Sequence, residues 1–122
     1  MKKIEISKLG NQSSKTLFTD VWLAKNYWQR LRGLLGRPKL SETQGLMLQP
    51  CNQVHTMGMA YAIDAIFLDE KGVIVNLIHS LKPLRQARGR GATYTLEVAS
   101  GMAKKHHLNI GDQLQWSTMK IV

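Results

Sequence analysis

Ala65-Ile66-Phe67-Leu68-Asp69-Glu70-Lys71-Gly72-Val73-Ile74-Val75-Asn76 decides the fold. Two runs of β-branched, aromatic and aliphatic residues flank a polar turn. Gly72 stands in a turn position that tolerates a positive φ, so the stretch predicts an antiparallel hairpin around Asp69–Gly72. A helix in either run would reject a mainly β fold.

Outward from the hairpin the same alternation recurs. Residues 2–9 place Ile4 and Ile6 on one face of a strand, and residues 16–24 (TLFTDVWLA) read as a second. Residues 45–49 form a short strand stopped by Pro50, and a longer one runs from about Thr56 through Leu68. Residues 93–98 and 113–116 are further strands, the latter after a turn at 109–112. The period changes twice. Asn26 and Gln29 form a capping box ahead of Tyr27, Trp28, Leu31, Leu34 and Leu35, and Gly36-Arg37-Pro38 ends that helix, so 27–35 is helical. Ser100 is expected to cap a second helix through about His107, with His106 and His107 as a basic helix end. Residues 79–92, with Pro83, Gly89 and Gly91 among basic side chains, read as a loop or irregular edge. The expected architecture is mainly β, a compact β-barrel or sandwich with two short helices, in one domain over residues 1–122.

The 17 basic against 8 acidic side chains give a net charge of +9, which favours anionic partners. The basic residues are dispersed, however. The densest segment, holding Lys82, Arg85, Arg88 and Arg90, has no aromatic residue to stack on bases. Weak, salt-sensitive, non-specific polyanion binding is the expectation, not sequence recognition. No apolar run approaches a membrane span, and Met1-Lys2-Lys3 is not followed by an apolar leader. With the single Cys51, this reads as a cytoplasmic protein.

Four segments carry a resemblance. They are Trp28-Gln29-Arg30-Leu31-Arg32-Gly33-Leu34-Leu35-Gly36-Arg37; His55-Thr56-Met57-Gly58-Met59 leading into Ile63-Asp64-Ala65-Ile66-Phe67-Leu68-Asp69; Gly72-Val73-Ile74-Val75; and Leu96-Glu97-Val98-Ala99-Ser100-Gly101 followed by Ile110-Gly111-Asp112. In this order they resemble the DUF192 (UPF0127) family of small bacterial and archaeal domains. The resemblance implies a β-barrel-like or jelly-roll-like sandwich. The family has no established biochemical function, so no catalytic role transfers to any residue. Ala62 stands where family members often carry proline before the hydrophobic-Asp pair.

Asp64 and Glu97 are the residues that need explaining, because each carboxylate lies between apolar neighbours. A structural ion pair of Asp64 or Glu97 with Arg30 or Arg32 would anchor the first helix. If 55–64 is one strand, His55, Met57 and Met59 face opposite to Asp64 unless Gly58 bends the chain. A pocket near His55, Met57, Met59 and Asp64 then supports binding of a small ligand or a peptide, with no cofactor and no metal set expected. The alternative is a small hydrolase- or transferase-like enzyme using Asp64 and Glu97 in one cavity with His55 or Cys51. A further alternative is an accessory that docks an acidic partner through Lys82, Arg85, Arg88 and Arg90. No nucleophile motif favours the enzyme, so whether the chain catalyses anything is left open by the sequence.

Overall fold

The structure, a computed structural model, describes residues 2–24, 39–49, 53–55, 61–82 and 86–118; of residues 53–55, 86–88 and 118 it describes the backbone alone. The expected helix at 27–35, with Arg30 and Arg32, lies outside these residues, as do Cys51, Met57, Met59 and Arg85.

The described residues form nine strands: β1 (Lys2–Leu9), β2 (Ser14–Ala24), β3 (Gln44–Leu48), β4 (Gln53–His55), β5 (Ile63–Leu68), β6 (Ile74–Leu81), β7 (Gln86–Arg88), β8 (Tyr94–Ala99) and β9 (Leu114–Thr118). One short helix, α1 (Met102–Lys105), lies between the last two. Seven strands make one sheet in the order β6-β5-β8-β3-β2-β1-β9, with β4 and β7 forming a separate two-stranded ribbon. Within the large sheet only β2 and β3 run parallel.

The hairpin forms as its sequence requires. Ile66 pairs with Leu77 and Phe67 with Asn76. Asp69 Oδ1 accepts the N–H groups of Lys71 and Val73 and fixes the turn. The large sheet then curls, and its edge strands approach at one end. Val73 bridges Gln113, Leu114 N donates to Gly72 O, and Ile74 N donates to Asp112 O. The result is a loosely closed barrel, open along the rest of the β6–β9 seam. Its interior is one apolar cluster drawn from almost every strand, including Ile4, Ile6, Phe18, Val21, Met47, Ile66, Leu96, Val98 and Leu114, with Met102 and Ala103 of α1.

The closure rests on Gly72. Its φ is +82°, and a Cβ there would collide with the carbonyl oxygen of Leu114. Gly111 has a comparable φ of +97° but faces open space. Gly111→Ala should therefore cost only the left-handed penalty, about 1 kcal/mol. Gly72→Ala should cost roughly 2–4 kcal/mol, because it also breaks the seam. Urea midpoints of the two variants test this, and equal losses would show that the Gly72–Leu114 contact contributes little.

Three expectations are corrected. The strand expected to run from Thr56 through Leu68 is interrupted, since Tyr61 lies in a bend and β5 begins at Ile63, while residues 56–60 lie outside the described residues. The segment expected as a loop or irregular edge at 79–92 is more ordered than a loop: it continues the edge strand β6 to Leu81 and contributes β7. The helix after Ser100 is capped by Gly101 at φ 93°, with no side-chain bond from its own cap residue. At its other end, burial and the neighbouring Lys105 push the His106 imidazole below its ordinary value.

Candidate functional site

Alternation along the central strands β5, β8 and β3 sends successive side chains to opposite faces of the sheet. Asp64 pairs in register with Val98, and Ala65 with Glu97. Asp64 therefore points inward with Ile66, Leu96 and Val98, while Glu97 points outward with Ala65 and, on its other side, Leu46. The two carboxylates cannot share a cavity. The expected acid–base pair of Asp64 and Glu97 is corrected on that ground: the β5–β8 register puts a backbone layer between them.

Asp64 is fully buried, and backbone donors satisfy its carboxylate. Oδ1 accepts the Ser80 N–H at 2.8 Å. Oδ2 accepts Gly101 N–H at 3.1 Å and Ala103 N–H at 2.9 Å. The acceptor that α1 lacks at its own cap position thus comes from a strand 37 residues earlier. Ser80, at the bulged β6 end opposite Asp64, has a φ of 50°, a conformation held by the same carboxylate. Asp64 ties the end of the hairpin to α1, and its oxygens are spent on that task.

Glu97 has the opposite situation. It is 1% exposed, and its Oε2 has no hydrogen-bond partner among the described residues. Burial pushes its carboxyl up to about 8, so near neutral pH it carries a proton. The outer face around it is as apolar as a core: Ile63, Ala65, Phe67 and Leu81 on one side, Ala24, Leu46 and Leu48 on the other. Thr95, also buried, lies two residues before Glu97 on the same face. The outside of a barrel wall is usually solvated on alternate positions. Here it is closed over, and the chain leading from β7 to β8 is part of the cover. Gly89 packs so tightly on Phe67 that a Cβ would overlap the Phe67 side chain.

Of the other sequence candidates, His55 pairs through its backbone with Gln86, and Gln53 with Arg88, so the β4–β7 ribbon joins the His55 segment to the basic one. Lys82 and Arg90 are exposed. Arg90 and Gly91 occupy the tip of a tight turn closed by Ala92 N to Gly89 O, with Gly91 at φ 79°. The sequence singled out Glu97 as a buried carboxylate. Its lack of a partner and its face followed only from the register.

Comparison with known proteins places this geometry. The model of the DUF192 family, described as “Uncharacterized ACR”, matches residues 9–116. The UPF0127 protein PF1050 of Pyrococcus furiosus is 33% identical over 109 residues, covering 86% of this chain and 93% of that relative. A solved protein of unknown function from Novosphingobium aromaticivorans superposes with a TM-score of 0.79 at 20% identity, over 92% of this chain and 84% of the other. A protein described as a candidate transcription regulator from Sinorhizobium meliloti superposes with a TM-score of 0.81 at 20% identity, over 94% and 95%. These two structures share the fold. No helix among the described residues is long and apolar enough to cross a membrane.

Proposed function

Since the chain belongs to the DUF192 family, whose members are described as uncharacterised, we propose from its own geometry that it is a binding domain for a small polar ligand. The site is the outer face of β3, β8 and β5, with Glu97 as its polar anchor. The buried Oε2 of Glu97, without a hydrogen-bond partner among the described residues, carries this reading. A buried polar atom left unsatisfied costs about 1–3 kcal/mol, and a ligand that completes its hydrogen bonding recovers that energy. The apolar walls formed by Leu46, Ala65 and Phe67 suit the non-polar body of such a ligand. Binding is favoured over catalysis because Asp64 is turned away and committed to backbone donors. A reducing, cytoplasmic setting, read from the lone Cys51, belongs to the same proposal.

Butyramide is a suitable probe, since its amide offers both a donor and an acceptor to a carboxylic acid. At millimolar concentration it should shift the backbone amide resonances of Leu46, Ala65 and Glu97. The shifts should vanish in Glu97→Leu, whose fold is checked by the dispersion of the remaining spectrum. Shifts that persist in Glu97→Leu, or that map elsewhere on the protein, would remove Glu97 as the anchor.

A further inference from the structure

We propose that the outer edge of β6, from Asn76 to His79, receives an extended, acidic-flanked segment of another protein as an added strand.

The large sheet ends in β6 on one side and β9 on the other, and the two edges are built differently. In β9, Leu114 and Trp116 pack on the interior cluster, while Gln115 and Ser117 are polar and exposed. That is the alternation of a strand with one solvated face. β6 reads Ile74-Val75-Asn76-Leu77-Ile78-His79-Ser80-Leu81, with no lysine, carboxylate or proline. Leu77 packs on the interior cluster and Val75 and Ile78 on the outer one, and all three are only half-buried. A strand apolar on both faces belongs between two neighbours, and exposed edges are ordinarily guarded by charge, proline or a bulge. In β6 the register is irregular only towards the ends. Between them the pairs Asn76–Phe67, Leu77–Ile66 and Ile78–Ala65 follow one another regularly.

The backbone of β6 identifies the vacant position. At Ile74 the edge is covered, since Ile74 N donates to Asp112 O and Gly111 N donates to Ile74 O. Farther along, no strand among the described residues takes over. The Leu77 N–H donates to Oδ1 of Asn76, the residue before it on the same strand, at 2.9 Å. A side chain of β6 thus stands where the carbonyl of a neighbouring strand would be. A strand laid along Asn76–His79 supplies that carbonyl, and its alternate side chains extend the half-buried rims at Leu77 and Ile78.

Charge selects the occupant. The chain carries a net charge of +9, and residues 71–96, which contain β6, include no acidic side chain. A second copy of the chain brings the same charge to the edge, whereas an acidic segment is drawn to it.

The probe is a blocked peptide of alternating valine and threonine flanked by aspartates. The comparison peptides are the same core flanked by lysines, and the aspartate peptide with its central amides N-methylated. Binding is followed by the amide resonances and hydrogen exchange of Leu77 and His79, and by calorimetry. The aspartate peptide should shift both resonances and slow exchange at Leu77. The lysine and N-methylated peptides should bind about tenfold more weakly or worse, having lost charge complementarity and backbone pairing respectively. His79 is exposed, and His79→Glu should weaken the aspartate peptide about threefold while leaving the dispersion of the spectrum unchanged. Equal binding of the lysine peptide overturns the acidic class. Undiminished binding of the N-methylated peptide, or shifts confined to Trp116 and Ser117 or to Leu46, Ala65 and Glu97, overturns strand addition at β6. Protection of Leu77 that grows with protein concentration in the absence of peptide makes the occupant a second copy and overturns the proposal. No response at Leu77 and His79 to millimolar aspartate peptide overturns it as well.

Discussion

Glu97→Gln will free the protein of a stability loss that the wild type suffers between about pH 5 and pH 8. In the unfolded chain this carboxyl titrates at its ordinary value of 4.5, and in the folded protein at about 8. Between the two the folded state holds a proton that the unfolded state has released. Stability therefore falls as pH rises, by about 1.4 kcal/mol per pH unit for this one group. The contribution is fully present below pH 4.5, is lost through the interval, and stays lost above about 8. Integrated over the window, the difference between wild type and Glu97→Gln should change by on the order of 5 kcal/mol. The amide of the variant adds its own buried donor, which offsets the curve by a constant but not its slope. Urea denaturation of both proteins at half-unit pH steps measures the effect. Parallel profiles would show that Glu97 is already ionised or paired in the folded protein.

Asp64→Ala should be the most destabilising single truncation of a polar side chain. It strands the N–H groups of Ser80, Gly101 and Ala103 together, and Ala103 is fully buried. The loss should be roughly 3–5 kcal/mol, since water can reach the Ser80 and Gly101 ends but not Ala103. For a chain of this size that lowers the melting temperature by more than about 10 °C. Asp64→Asn should recover only part of this. Its single oxygen can serve Ser80 or the Gly101–Ala103 pair, and its amino group then confronts the other donor. Full recovery by asparagine would mean that one of the two sets of bonds contributes nothing.

How far the sequence reached can be judged residue by residue. The hairpin at 65–76 was legible because both its strands alternate and the turn chemistry is local. The barrel class followed from the strand count, and the mainly β architecture is what the structure has. Tyr61 and Ala62 misled because their apolar composition continues that of β5, although they lie outside the strand, which starts at Ile63. The ribbon strands Gln53–His55 and Gln86–Arg88 have three residues each, too few for any periodicity. Ser100 looked like the cap of α1 because capping was sought nearby in sequence; the acceptor is Asp64, which no local pattern reveals. Both carboxylates were recognisable as buried. Their assignment to opposite faces depended on the β5–β8 register, a non-local quantity.

The distant cap of α1 also imposes an order on assembly. A helix of four residues has no stability of its own, because nucleation alone outweighs the bonds it makes. Its first-turn amides find their acceptor only after β5 and β8 have aligned in the native register. The helix is therefore a late and conditional product of folding, formed once strands whose register partners lie 26 to 36 residues apart in the chain have found each other. Protection of the Ala103 amide from solvent exchange then serves as a timer for sheet registration, although the amide belongs to no strand.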